Sequence, residues 1–150
     1  MRHSETELQE MARADLEQYT SAKRQIEHNQ ERLIRLELRI NRVNMELNPN
    51  KVSVQSSNDA YASLIDEKID LEYSIKAEQI DAERLCIQID RRISRLRPRL
   101  YSRILRNFWL DDMPMKEIAV NEHMSLSGCY YHHNEALLEY GKMLADSQII

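Results

Sequence analysis

Seven arginines lie within residues 89–106, where Asp90 is the single acid, so this segment has a net charge of +6. The flanking segments 1–88 and 107–150 each have a net charge of −5, which brings the 150-residue chain to −4. Five arginines recur every three or four residues and would share one helical face if Pro98 only bends the path: Arg92, Arg95, Arg99, Arg103 and Arg106. Such a basic face is typical of phosphate binding, and we expect it to contact the DNA backbone. The alternatives are that these arginines form a solvated face or that they pair with acids of a neighbouring helix.

Four side chains in the last third of the chain are of types that bind metals: His123, Cys129, His132 and His133. Cys129 and His133 are four residues apart and would lie on one face of a helix, but a fourth ligand at the usual spacing is missing. We therefore interpret Cys129 as a core residue and the histidines as surface residues, and we predict no metal. The sequence also lacks a glycine-rich phosphate loop and a nucleophile elbow, so we predict neither an enzyme nor a cofactor.

The composition favours helices throughout. The chain has two glycines and three prolines, against about 10 and about 7 at average usage, which argues against sandwiches, barrels and dinucleotide-binding folds. Charged residues make up 31% and aromatic residues 6%, as in long, largely solvated helices. The sequence shows no membrane span and no apolar leader after Met1, and its two cysteines are not closely spaced. We predict an all-α, cytoplasmic protein.

A first long helix is predicted from about Ser4 to Leu47. Ser4 and Glu7 have the spacing of a capping box, which marks the N-terminus of the helix. Its apolar side chains occupy the a and d positions of a heptad: Leu8, Ala12, Tyr19, Ala22, Ile26, Leu33, Leu36, Ile40, Val43 and Leu47. Asp15 and Asn29 are two polar interruptions of this seam.

The first helix should end before Pro49, and a loop at about 48–59 should follow. A second long helix is predicted from about Asp59 to Leu96. Its apolar seam comprises Leu64, Leu71, Ile75, Ala82, Leu85, Ile89, Ile93 and Leu96. Residues 1–97 are therefore predicted to form a long, coiled-coil-like antiparallel helical hairpin.

The second helix carries another apolar stripe on a different side: Ile65, Ile69, Tyr73, Ile80 and Ile87. A helix with only one partner would not show a second stripe, so this one needs a further partner. We predict that two hairpins associate into a homodimer. The alternative is that these side chains are partly exposed.

Residues 98–145 are predicted to form a small domain of three helices, at about 98–108, 115–120 and 125–144. Pro114 suits the start of the second helix, and Ser125 is a plausible N-cap of the third. A tight turn at 121–124 separates them, and 146–150 is expected to be a frayed tail. Three short helices with a tight turn between the last two describe a helix-turn-helix. The residues expected in its core are Ile118, Ala119, Leu126, Cys129, Ala136 and Leu137.

The segment from Ile104 to Leu144 resembles the sigma-factor region-four type of helix-turn-helix, in particular the phage-encoded ArpU family and relatives such as RinA. The resemblance is carried by Ile104-Leu105, Phe108-Trp109, Lys116-Glu117-Ile118-Ala119, Ser125 and the run from Tyr130 to Leu137. The helical hairpin before this segment is also similar to the family layout. His123 replaces the glycine that the family usually has in the turn, and Glu122 replaces an apolar residue.

The resemblance implies a sequence-specific, DNA-binding transcriptional regulator of phage or prophage late genes, acting as a homodimer in a bacterial host. No lysine or arginine occurs between Lys116 and Lys142, so the phosphate affinity must come from the arginine face. The predicted phosphate contacts are Arg92, Arg95, Arg99, Arg103, Arg106 and Lys116. The predicted recognition residues are Ser125, Ser127, Tyr131, His132 and Asn134.

Two further hypotheses concern protein partners. RNA polymerase is a candidate partner of such an activator, and the acidic segment 107–150 is a candidate surface for it. The alternative function is a non-enzymatic coiled-coil scaffold or inhibitor that binds a protein partner without DNA.

Overall fold

The computed structural model describes residues 2–46 and 54–147, and all regular secondary structure within these ranges is helical. Five helices follow along the chain: α1 (Glu5–Glu46), α2 (Val54–Ile93), α3 (Arg99–Leu105), α4 (Met115–Asn121) and α5 (Leu126–Ser147). The predicted all-α class is thus confirmed for this part of the chain. Across the same ranges, none of the helices has an apolar stretch long enough to cross a bilayer.

The start of α1 follows its local signal. The Ser4 hydroxyl accepts the backbone N–H of Glu7 at 3.1 Å, and the Glu7 carboxylate accepts that of Ser4 at 3.4 Å. This reciprocal pair confirms the predicted capping box. α1 continues to Glu46, and the predicted end at Leu47 lies outside the described residues.

The other helix ends differ from the predictions by a few residues. The predicted loop at 48–59 is wrong for residues 54–59, which are already helical, because neither glycine nor proline interrupts them; residues 48–53 lie outside the described ranges. α2 ends at Ile93 rather than Leu96, because the Leu96 N–H bonds to the Ile93 carbonyl in a tight turn. Asp146 and Ser147 of the predicted tail belong to α5, and 148–150 is not described.

The first helix of the small domain is longer than predicted. The predicted range ends at residue 108, but α3 continues through Trp109 and Leu110 in a π-helical turn, Arg106–Leu110. Both side chains are buried there, so core packing holds the turn in place.

The chain divides into two compact units, one of Met1–Ser21 with Ala82–Ile150 and one of Ala22–Asp81. α1 and α2 each contribute to both. These limits differ from the predicted boundary at residues 97 and 98. The reason is that the first turns of α1 and the last turns of α2 share a core with the short helices.

In the Ala22–Asp81 unit, α1 and α2 pack through Leu36, Ile40, Leu71 and Ile75, as the two seams predict. Asn29 of α1 is buried, and its amide donates to the Glu78 carboxylate at 2.6 Å. Farther along α1, Glu37 pairs with Lys68, which precedes Glu78 in α2, so the two helices are antiparallel within this unit.

The core of the other unit combines α1, α2, α3 and α5. It comprises Ala12, Leu16, Ile89, Ile93, Leu96, Leu105, Trp109, Leu110, Ala136, Leu137 and Tyr140. A second cluster joins α3 and α4 to α5 through Ile104, Met115, Ile118, Ala119 and Cys129. The core positions predicted for the small domain are buried except for Leu126, the first residue of α5, which is 45% exposed.

Candidate nucleic-acid interface

The connection between α4 and α5 is a tight turn closed by backbone hydrogen bonds. Met124 donates its N–H to the Ala119 carbonyl at 3.0 Å, and His123 donates to the Val120 carbonyl at 3.2 Å. His123 has φ of 56°, in the left-handed region. These bonds form a Schellman motif, in which the left-handed position is usually glycine. His123 therefore occupies a backbone conformation that glycine adopts at the least cost.

The first turn of α5 is capped by Ser125. Its hydroxyl accepts the Gly128 N–H at 3.0 Å and lies 3.3 Å from the Ser127 hydroxyl. The predicted N-cap is confirmed. Because the Ser125 hydroxyl oxygen already serves the helix, Ser127 is the more available of the two for an external contact.

The exposed face of the N-terminal half of α5 carries three of the predicted recognition residues, Ser127, Tyr131 and Asn134. Their spacing of four and three residues places them on one side of the helix. The Tyr131 side chain is 61% exposed. Tyr130 and Leu126 are also exposed nearby and were missed, because apolar periodicity assigned Leu126 to the core.

His132, the fourth predicted recognition residue on α5, lies on a different side of the helix. Its ring is tilted against that of Tyr101 in α3 with centroids 6.3 Å apart, and it meets the Tyr131 ring edge-on. Its Nδ1 atom is buried without a hydrogen-bond partner among the described residues. His132 thus packs between helices and is not part of the exposed face.

The N-terminal part of α1 brings a cation to the exposed face of α5. Arg13 donates from Nη2 to the Asn134 side-chain oxygen at 3.4 Å, and Gln9 donates to the Asn134 carbonyl at 3.1 Å. Two turns farther along α5, at Gly141, the two helices also lie close together, since a Cβ added there would stand 2.1 Å from the Leu8 carbonyl oxygen. Sequence reasoning missed Arg13 because more than 100 residues separate it from α5.

One arginine of the predicted phosphate-binding face is bound to the turn before α5. The Arg103 guanidinium donates from Nε to Glu122 Oε1 at 2.5 Å and from Nη2 to Glu122 Oε2 at 3.2 Å. The Glu122 side chain is only 11% exposed, and this hydrogen bond raises the pKa of Arg103. The Arg103 cation therefore neutralises a carboxylate that is largely shielded from solvent.

Two further arginines are engaged in ion pairs. Arg106 donates to Asp90 at 2.7 Å and to the Ser94 hydroxyl at 2.9 Å, and Arg92 donates to Asp15 at 2.8 Å. The Asp15 carboxylate also accepts the Tyr140 hydroxyl. Burial, and then this bond, raises the pKa of Tyr140. Arg92 and Arg106 therefore follow the alternative expectation, in which arginines pair with acids of neighbouring helices.

The remaining cations of the predicted set, Arg95, Arg99 and Lys116, are exposed and have no ion-pair partner among the described residues. A surface depression of about 350 Å³ gathers Arg97, Arg99, Arg103 and Arg106 with Ser94 and Ser102. Arg92 and Arg95 do not line it. The arginines therefore form a grouped basic surface rather than a single continuous helical stripe, because α2 ends at Ile93 and the chain turns before α3.

The residues considered for a metal face different partners. The Cys129 thiol is buried against Met115, with 3.4 Å between the sulfurs, as a core residue. His133 was expected at the surface, and this prediction is wrong: its side chain is 3% exposed, because it shares the core face of α5 with Cys129 and Ala136. The described ranges contain no group of three or more His, Cys, Asp or Glu side chains suitably placed for a metal.

His133 accepts the indole N–H of Trp109 at 3.0 Å and packs edge-on against Phe108. Burial, with a smaller effect of the Arg13 charge, lowers the pKa of His133 to about 4. His133 is therefore a neutral core residue that ties the π-helical turn to α5.

No family model matches this chain, and neither a curated protein nor a solved structure shows significant similarity to it.

Proposed function

We propose that this chain is a DNA-binding transcriptional regulator, similar to the phage and prophage late-gene regulators of the ArpU type, in which α4, the turn and α5 act as a helix-turn-helix. The observation that carries the proposal is the turn itself. It places His123 in the left-handed conformation at the position where the resembled families have glycine. The small Ala119 and the capping Ser125 support the same assignment.

In this proposal the exposed face of α5 enters the major groove. Asn134 suits the paired donor and acceptor of adenine, and the hydroxyls of Ser127 and Tyr131 can bond to either kind of base. The exposed Leu126 and Tyr130 suit thymine methyl groups. Arg13 supplies from α1 the cation that α5 lacks on this face.

Phosphate contacts are assigned first to Arg95, Arg99 and Lys116, which have no acidic partner among the described residues. Arg92, Arg103 and Arg106 are held by Asp15, Glu122 and Asp90, so a phosphate must share these arginines with a carboxylate. We expect them to contribute less than their charge alone suggests.

The proposal includes a homodimer of helical hairpins. In the Ala22–Asp81 unit the outer side of α2 exposes Ile69, Tyr73 and Ile80, the last two being seven residues apart. A second copy covering this stripe would fix the spacing of two half-sites on DNA. RNA polymerase remains a proposed partner of the acidic segment 107–150.

Salt-dependent binding to duplex DNA tests the proposal. We expect retention of a random-sequence duplex that weakens steeply from low to moderate salt. Log affinity falls linearly with log salt, and the double variant Arg95→Gln and Arg99→Gln should make this fall less steep by about 2 in slope. The matched control, Arg24→Gln with Arg42→Gln, removes the same charge from exposed positions of α1 and should leave the slope unchanged. Absence of binding at low salt would overturn the proposal.

The second candidate function is a coiled-coil scaffold or inhibitor that binds a protein partner without DNA. The observation in its favour is the apolar exposure of the Ala22–Asp81 unit, where α1 exposes Ile34 and Leu38 and α2 exposes Ile69 and Tyr73. Selection from random duplex DNA separates the two. An enriched site that changes in Ser127→Ala or Asn134→Ala supports the regulator, and no enrichment supports the scaffold.

A further inference from the structure

We propose that the depression between the end of α2 and α3 is a phosphate-binding site. Its walls are Ser94, Arg97, Arg99, Ser102, Arg103 and Arg106. Four of these six side chains are guanidinium groups, and none is aromatic or aliphatic. Its volume of about 350 Å³ lies at the small end of the range for ligand pockets.

In two of the arginines, only the Nε and Nη2 edge of the guanidinium group is engaged by an acid or a hydroxyl. Arg103 uses Nε and Nη2 for Glu122, and Arg106 uses Nε for Asp90 and Nη2 for Ser94. In both, Nη1 has no hydrogen-bond acceptor among the described residues. A guanidinium has five N–H donors and two are in use, so each retains three, including both on Nη1, that can bond to an oxyanion. The carboxylates thus hold the side chains in place before a ligand binds.

The other two arginines are not in ion pairs within the described residues. Arg97 donates from Nη1 to the carbonyls of Ser94 and Leu96, at 3.1 and 2.9 Å, and keeps Nε and Nη2 for another partner. Arg99 is exposed and has all five donors available. These two residues therefore provide the unshared donors of the site.

The charges around the depression select the ligand. Four guanidiniums and the two carboxylates of Glu122 and Asp90 leave a formal charge of +2. Free phosphate carries one or two negative charges near neutral pH and a backbone phosphodiester carries one, and the oxygens of both match the forked donors of arginine. The phosphate is either a diester of the DNA backbone or free phosphate. The phosphate site does not depend on the proposed function, since free phosphate and the DNA backbone both present phosphate oxygens to the arginines.

Inorganic phosphate is the probe that tests the site. We expect the melting temperature of the full chain to rise with the logarithm of the phosphate concentration above Kd when chloride keeps the ionic strength constant. Arg97→Gln with Arg99→Gln should weaken phosphate binding at least about tenfold, because it removes the donors that are not shared with acids. Arg84→Gln with Arg91→Gln removes the same charge from exposed positions of α2 outside the depression and should bind phosphate like the wild type. Equal effects of the two double variants, or no rise in melting temperature with phosphate at constant ionic strength, would overturn the proposal.

Duplex DNA distinguishes the two sources of phosphate. If a backbone phosphodiester occupies the site, inorganic phosphate at constant ionic strength weakens DNA binding of the wild type but not of the Arg97, Arg99 double variant. If DNA binding is insensitive to phosphate while the melting temperature responds, the site takes free phosphate. A chain that binds phosphate but no DNA overturns the regulator and leaves the site standing, and the reverse outcome overturns the site alone.

Discussion

Arg103 and Glu122 form a two-pronged ion pair that ties α3 to the turn in front of α5. The carboxylate is nearly buried, while just over half of the arginine side chain is exposed. An arginine predicted to bind DNA therefore also has a structural task, because without it Glu122 would be a poorly solvated charge beside the core.

This pair can be measured by a double-mutant cycle. Arg103→Ala should destabilise the protein by about 1 kcal/mol, and the same change should cost little in a Glu122→Gln background, since no carboxylate is then left unpaired. The free energies of unfolding in urea for the four proteins give the coupling. Additive effects of the two changes would show that the pair contributes nothing.

The left-handed turn residue predicts a stabilising substitution. His123→Gly should raise the free energy of unfolding by about 0.5 to 1 kcal/mol, because glycine adopts φ near 56° without the steric cost of a Cβ atom. His28→Gly, at an exposed position inside α1, is the matched control and should lower stability by about 1 kcal/mol. A loss of stability in both variants would contradict the turn geometry.

The contact between α1 and α5 predicts a sharp difference between the two glycines. Gly141→Ala should destabilise by about 2 to 3 kcal/mol, because its Cβ would stand 2.1 Å from the Leu8 carbonyl oxygen and force the helices apart. Gly128→Ala meets only the Ser125 hydroxyl, at 3.0 Å, and should be close to neutral. Thermal unfolding monitored by circular dichroism compares the two, and equal stabilities would argue against this close approach.

The buried histidine predicts a loss of stability in mild acid. His133 has a pKa of about 4 in the folded protein, below its ordinary value near 6.5, so the unfolded chain binds its proton first. The stability that neutral His133 contributes is complete above pH 6.5 and is lost as the pH falls towards 4. The loss in free energy of unfolding is about 2 kcal/mol at pH 5. Protonation would also remove the acceptor of the Trp109 N–H.

Urea unfolding between pH 7 and pH 5 checks this dependence. His133→Gln keeps a side-chain acceptor and does not titrate, so its stability should change less over this range. The matched control, His28→Gln, alters an exposed histidine of α1 and should retain the pH dependence of the wild type. If His133→Gln kept the full dependence, another group would be responsible.

Local patterns predicted the helices well. The Ser4 and Glu7 capping box, the Ser125 cap and the start of α4 after Pro114 depend on residues within one turn of each other, so the sequence contains the whole signal. The seams around Leu36 and Leu71 follow from heptad spacing and are buried as predicted. Errors occurred at helix ends that tertiary contacts decide, such as the π-helical turn through Trp109, which core packing holds in place.

The sequence by itself determined the helical class, the order of the helices and the positions of the charges, because composition, periodicity and caps act over short distances. Only the tertiary structure decided which arginines are held by acids. Asp15 reaches Arg92 across 77 residues, and Glu122 reaches Arg103 across 19. It also decided that Arg13 lies beside Asn134 and that His133 is buried. Each depends on how one helix rotates and crosses another, which is set by packing of side chains distant in the chain.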